Sequence, residues 1–108
     1  MDQERVVLCG ANAYEQKYYL NEDFKSLPSR IQDELKILCV LFTEDVGGIL
    51  TLVFDEEGKL LLEVTAEEND FFFDDIGSEL KIRQIQREKA DLLQALEMYY
   101  RVVFRGGE

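Results

Sequence analysis

Histidine is absent from the 108-residue chain. Its absence removes the commonest metal ligand and the commonest general base, so most hydrolase and zinc chemistry has no residue to start from. Proline occurs once and glycine seven times, which argues against collagen-like repeats, low-complexity arrays and disorder. Cysteine occurs twice, at Cys9 and Cys39, each inside an apolar run. The pair therefore reads as free buried thiols packed as small hydrophobes, with a disulfide as the alternative. No apolar run approaches the ~18 residues of a membrane helix, and the start Met1-Asp2-Gln3-Glu4-Arg5 lacks the basic region and long apolar stretch of a signal peptide. The expected location is cytoplasmic, away from any membrane. Positive charge is scarce as well: 12 Lys+Arg stand against 23 Asp+Glu, a formal charge of −11. A nucleic-acid binder needs the opposite balance, and an anionic bilayer would repel this chain.

What is present is an ordinary globular composition, 46% hydrophobic and 32% charged. A chain of this length buries somewhat over ~60% of its unfolded surface, enough for one core, so residues 1–108 are expected to form a single domain. Arg5 to Cys9 is a short β-branched run ended by Gly10-Ala11-Asn12-Ala13, and Tyr14 to Leu20 is an aromatic-rich run ended by Asn21-Glu22-Asp23; both read as strands. Helix signals follow at Ser26-Leu27-Pro28-Ser29. Pro28 suits a first helical position, or Ser29 could cap with Gln32 closing a capping box. Ile31, Leu35, Leu38 and Phe42 repeat by three and four until Gly47-Gly48 stops the helix.

From Ile49 the period becomes that of a hairpin, Ile49–Phe54 and Leu60–Thr65 joined by Asp55-Glu56-Glu57-Gly58-Lys59. With Gly58 left-handed after a type I turn, paired residue numbers sum to 114. Leu50, Leu52 and Phe54 then face Val64, Leu62 and Leu60, a wholly apolar face that a one-residue slip would destroy. Beyond Ser78, the positions Ile82, Ile85, Lys89, Leu92, Leu96, Tyr99 and Val103 repeat by three and four. As one helix to Phe104 this segment would be roughly 40 Å long, more than a compact domain of this size covers, so part of it should project or meet another chain. Its second half, with Leu93, Tyr100 and Phe104 added, is expected to be buried, and its first half only leaned upon.

The acidity is concentrated. Residues 44–79 hold 12 acids and a single base, Lys59, whereas residues 80–108 hold 4 acids and 6 bases. Such a stretch reads as a solvated acidic edge or as a docking surface for a basic partner. Within it, Phe71-Phe72-Phe73 lies between Glu67-Glu68-Asn69-Asp70 and Asp74-Asp75. Three adjacent rings cannot share one face, so the segment is either a short edge strand closing the core or a set of exposed contact rings. No loop has EF-hand spacing, no cysteine has an adjacent base or cation, and Gly47-Gly48 precedes a strand rather than opening a helix; no metal and no cofactor are expected.

Several stretches carry a resemblance: Val7-Leu8-Cys9-Gly10-Ala11-Asn12, Tyr14-Glu15-Gln16-Lys17-Tyr18-Tyr19, Leu41-Phe42-Thr43-Glu44-Asp45-Val46-Gly47-Gly48, Glu68-Asn69-Asp70 and Leu96-Glu97-Met98-Tyr99-Tyr100. In these the chain resembles a family of short acidic proteins of Gram-positive anaerobic bacteria, a domain of unknown function. The resemblance implies a bacterial, cytosolic, stand-alone domain and brings no site residue with it.

The expected fold is α+β. An antiparallel sheet of four to five strands, in the order β-β-α-β-β-(β)-α, carries a middle helix from Pro28 to Asp45 and a long C-terminal helix on the same face or in a dimer seam. The expected function is that of a non-enzymatic homodimeric interaction module with contacts from Leu92, Leu96, Tyr99, Tyr100, Val103 and Phe72. The alternative is an acidic escort or adaptor that holds a basic protein on Asp55, Glu56, Glu57, Glu67, Glu68, Asp70, Asp74 and Asp75. A third reading is a carboxylate- or thiol-based enzyme, whose mark would be a cavity lined by Tyr14, Tyr18 and several acids.

Overall fold

The structure, a computed structural model, describes residues 5–106. Four strands form one antiparallel sheet: β1 (Val6–Asn12), β2 (Lys17–Leu20), β3 (Ile49–Phe54) and β4 (Leu60–Thr65), in the spatial order β2-β1-β3-β4. Helix α1 (Ser29–Val46) connects the two hairpins, and α2 (Asp75–Glu88) and α3 (Ala90–Tyr99) follow the sheet. There is no fifth strand among the described residues. The class is α+β, as the patterning indicates.

The β3–β4 pairing follows the register that the hydrophobic pattern demands, with Ile49 opposite Thr65 and Phe54 opposite Leu60. Its turn is held by the Asp55 carboxylate, whose Oδ1 accepts the N–H groups of Glu57 and Lys59 at 2.8 and 2.9 Å, while Gly58 takes the left-handed conformation. These two backbone donors, Lys59 first, hold the Asp55 carboxyl below its ordinary pKa. In β1 a bulge between Val7 and Cys9 inserts one extra residue against β3, and Leu8 and Cys9 both become fully buried. Strict alternation would have placed one of them on the open face.

Helix α1 begins one residue later than a Pro28 start requires: Pro28 occupies the cap position and no side chain caps the first turn. Gln32, expected to close a capping box, instead donates from Nε2 to the carbonyls of Lys25 and Leu27, fastening the preceding turn. Helices α1 and α3 cover the same face of the sheet, and one core joins Leu35, Leu38, Cys39 and Phe42 to Leu50, Leu52 and Phe54 and to Leu92, Leu93, Leu96 and Tyr100. At its far end Phe24, Phe54, Tyr100 and Phe104 stack, with ring centroids 4.2 to 5.8 Å apart.

The C-terminal segment is not one rod. Lys89 (φ −110°, ψ 23°) interrupts it, so α2 packs on α1 while α3 turns onto the sheet. Lys81 pairs with Asp45 at 2.8 Å and Lys89 with Glu34 at 3.4 Å, which sets α2 antiparallel to α1. Leu92, Leu93, Leu96 and Tyr100 are buried, whereas α2 buries only Ser78 and half-buries Ile82 and Ile85. The second half is buried as expected at Leu92, Leu93, Leu96 and Tyr100 but not at Val103 and Phe104, which are exposed; the first half is only leaned upon, and the helix is not continuous.

Candidate interaction surface

The eight carboxylates expected to hold a basic partner do not form one patch. Asp55, Glu56 and Glu57 lie at one end of β4, and Glu67, Glu68, Asp70, Asp74 and Asp75 follow its other end. A six-residue strand separates the groups by about 17 Å. Within each group some acids are committed to local structure. Asp55 holds the hairpin turn, and the Glu56 carbonyl accepts from Arg105, whose guanidinium also lies over the Tyr100 ring. Asp74 accepts the Gly77 N–H at 2.8 Å and caps α2, where a carboxylate also faces the positive end of the helix dipole.

Asp70 is tied to the first hairpin. The Tyr14 hydroxyl donates to Asp70 Oδ2 at 2.6 Å and accepts the Glu67 N–H at 3.0 Å, and Asp70 Oδ1 accepts the Phe72 N–H at 3.0 Å. The Tyr14 bond holds the Asp70 carboxyl below its ordinary pKa, and the same bond raises the Tyr14 phenol. Phe73 rests on Gly47 and Gly48; a Cβ added at Gly48 would meet the Phe73 ring and the Thr65 carbonyl, each at 2.8 Å. The segment, expected either as a short edge strand or as a set of exposed contact rings, is a turn pinned at both ends. Pinning two ends of a tight loop leaves the rings between them nowhere to go but outward.

Phe71 is 89% and Phe72 96% exposed. Ile76 and Leu80, four residues apart on α2, continue this apolar exposure, and Ile37 and Leu41 provide more on the outer face of α1. Between the two helices runs a groove of about 400 Å³, with Leu38, Phe42 and Ile85 in its lining and Glu34, Lys81 and Lys89 at its edge. Glu67, Glu68, Asp75 and Glu79 flank the exposed rings in sequence, and all four are exposed. The result is an apolar display with an acidic border.

The residues expected in a dimer seam divide by burial. Leu92, Leu96 and Tyr100 lie in the chain's own core, Tyr99 is half-buried with its hydroxyl 2.6 Å from that of Ser26, and only Val103 and Phe72 face solvent. Their stripe is real, and the sheet of the same chain covers it. Exposed apolar residues that periodicity did not single out are Phe71, Ile76, Leu80 and Ile37, and Leu41, which the spacing would add to the buried stripe of α1, is exposed as well. Acid-flanked aromatics were the available signal for the first; the others needed the α1–α2 packing.

Cys9 and Cys39 are fully buried free thiols with their sulfurs 3.8 Å apart, and the Cys9 contact together with burial raises the Cys39 thiol far above its ordinary pKa. No group of three or more Cys, Asp or Glu among the described residues is arranged to hold a metal ion. No described helix is long and apolar enough to cross a membrane. The cleft beside Tyr18 has Glu44 as its one carboxylate and does not include Tyr14, so the cavity of several acids that would mark an enzyme is not formed there.

Replacing Tyr14 by Phe removes both bonds of its hydroxyl. Amide exchange at Glu67 and Phe72 should accelerate while the global unfolding temperature stays close to that of the wild type, because Tyr14 lies outside the core. The anchor also has a pH window. Asp70's folded pKa is depressed, so its contribution is present above the unfolded value of about 3.9 and lost as pH falls through the folded value. Tyr14's is raised, so its contribution is present below about 10 and lost as pH rises through the folded value. Exchange at Phe72 that is fast at neutral pH, or unchanged by Tyr14→Phe, would contradict this account.

Neither a curated protein nor a solved structure matches the chain. The family model of a family of unknown function (DUF6145) matches residues 5–108, a span that takes in the whole sheet, all three helices and the pinned loop. The chain belongs to this family.

Proposed function

We propose that the chain is a non-enzymatic protein-interaction module that receives a basic, apolar segment of a partner on the surface around Phe71 and Phe72. One observation carries this reading: the two rings are held in solvent by a loop whose ends are fixed through Tyr14, Asp70 and Phe73. Two exposed aromatics on a floppy loop would fold back onto apolar surface; on a fixed loop they are ready for a partner and cost little further ordering on binding. Contiguous exposed apolar surface of this kind is uncommon on monomers and marks contact sites. The acidic border argues for the sign of the partner, because two copies placed face to face here would bring Glu67, Glu68, Asp75 and Glu79 against their equivalents.

A homodimer is the second reading. It is favoured by Met98, Val102 and Val103, each more than half exposed at the end of α3 and beyond, where Arg101 and Arg105 replace the carboxylates. Light scattering on a sizing column, starting from the 12.6 kDa chain, separates the two. A dimer that survives high salt and is lost in Val102→Asp/Val103→Asp supports the homodimer. For the basic partner, the probe is a synthetic Leu/Lys amphipathic peptide. Its binding should weaken at least tenfold between about 50 mM and about 500 mM salt. Phe71→Ser/Phe72→Ser should abolish binding without lowering the unfolding temperature. Peptide binding indifferent to both changes would exclude this surface as the contact.

A further inference from the structure

On the opposite flank of α1, the β1–β2 hairpin and the helix enclose a cleft of about 670 Å³, a volume typical of small-molecule sites. Three independent features of the chain meet in it. Gln16, in its wall, has φ +53° and is the one non-glycine residue with positive φ among the described residues. Glycine or asparagine would occupy this turn position without strain, and non-glycine residues held there cluster at functional sites. Tyr18, also in the wall, has the one buried side-chain polar atom without a hydrogen-bond partner among the described residues, its hydroxyl. Burial, and the Cys9 and Cys39 thiols beside it, raise its pKa well above the ordinary phenol value, so the hydroxyl stays protonated.

The third feature is charge. Lys17 on β2 and Lys36 on α1 both line the cleft, both are exposed, and neither forms an ion pair among the described residues. Glu44 is the only acid in the lining. In a chain with nearly twice as many acids as bases, this is a local reversal of sign. An anion approaching the acidic middle third meets carboxylates; here it meets two ammonium groups beside one carboxylate. Asn12 spends its Oδ1 on the N–H groups of Tyr14 and Glu15, at 2.8 and 3.1 Å, which leaves its Nδ2 as a donor at the cleft wall. Ala11, Ala13 and Val40 supply apolar wall beside these groups.

We propose that the cleft between the β1–β2 hairpin and α1 is a binding site for a small organic anion, its charged end held by Lys17 and Lys36 and its apolar body against Ala11, Ala13 and Val40. The apolar wall distinguishes the ligand from a bare inorganic ion, and the two lysines distinguish it from a neutral hydrophobe. Phosphate and carboxylate anions share the required chemistry, and separate probes tell them apart. This site is independent of the surface around Phe71 and Phe72.

The test is a titration of the full chain, followed by amide chemical shifts, with phenyl phosphate, with 3-phenylpropionate and with inorganic phosphate. One or both organic anions should shift the amides of residues 11–18 and of Lys36, Val40 and Thr43, with a Kd below about 1 mM. Inorganic phosphate should bind at least tenfold more weakly. Lys17→Ala/Lys36→Ala should weaken the organic anion at least tenfold with an unchanged unfolding temperature, since both side chains are exposed. The proposal is overturned if neither organic anion moves these amides, if inorganic phosphate binds as well as they do, or if the double variant binds like the wild type.

Discussion

Leu96→Asp should unfold the protein. Leu96 is 2% exposed in the middle of α3, in the same core as Leu92, Leu93 and Tyr100 and the sheet residues Leu52, Leu60 and Leu62. Truncating a buried leucine to alanine costs about 2–5 kcal/mol. A carboxylate in its place adds the desolvation of a charge that no cation in this apolar core would offset. Against a total stability of about 5–15 kcal/mol for a domain, the sum removes most of the folded population. Circular dichroism of the variant should show loss of near-ultraviolet structure and a broadened or absent thermal transition. Val103→Asp is the control: Val103 is 55% exposed, and this variant should fold normally. A folded, monomeric Leu96→Asp protein would mean that α3 does not pack on its own sheet.

That experiment bears on how far the fold could be read from the chain. Heptad-like spacing identifies Leu92, Leu96, Tyr99 and Val103 as one stripe, and the stripe is where helix and apolar surface coincide. What periodicity lacks is the identity of the surface opposite. It also runs through the interruption at Lys89 without a mark, because the break contains neither glycine nor proline and keeps its hydrogen bonds, Lys89 N–H to Ile85 O and Leu93 N–H to Lys89 O. A rod of 40 Å needed a second chain; a rod bent at Lys89 finds its own sheet. The hairpin register, by contrast, was legible in full, since Gly58 and the alternation of Leu50, Leu52 and Phe54 independently require the same pairing.

The candidate surface was legible only in its ingredients. Acids flanking Phe71-Phe72-Phe73 are visible in sequence, but whether the rings turn inward depends on Tyr14, 56 residues from Asp70, and on the paired glycines under Phe73. Sequence separation of that size leaves no local signature. Spacing likewise gave no means of telling which carboxylates were already engaged. Asp55, Asp70 and Asp74 each accept backbone N–H groups within a turn or a helix start, the common use of aspartate at such places. The exposed carboxylates not engaged in this way are Glu67, Glu68, Asp75 and Glu79 around the rings and, at the far end of β4, Glu56 and Glu57, two separate sets rather than the single surface that the acidic third suggests.

Gly10→Val should be nearly as damaging as the change at Leu96, and for a reason the sequence concealed. A glycine after Val7-Leu8-Cys9 reads as the end of a strand, yet β1 continues through it to Asn12, with Gly10 paired to Tyr19 on one side and Thr51 on the other. It is interior to the sheet. A Cβ built there would lie 2.7 Å from the Leu50 carbonyl oxygen, and that oxygen belongs to the central strand β3, which cannot retreat without disturbing β4. Glycine inside a strand commonly marks such a close backbone approach. Alanine alone forces a shift of several tenths of an ångström, and overpacking of this kind costs about 1–3 kcal/mol or more. Valine adds two methyl groups to the same crowded site. The expected result is a loss of at least ~3 kcal/mol in urea unfolding for Gly10→Val, with Gly10→Ala intermediate. A Gly10→Val protein of wild-type stability, despite valine's high strand propensity being the only gain available to it, would show that β1 and β3 are further apart than the register places them.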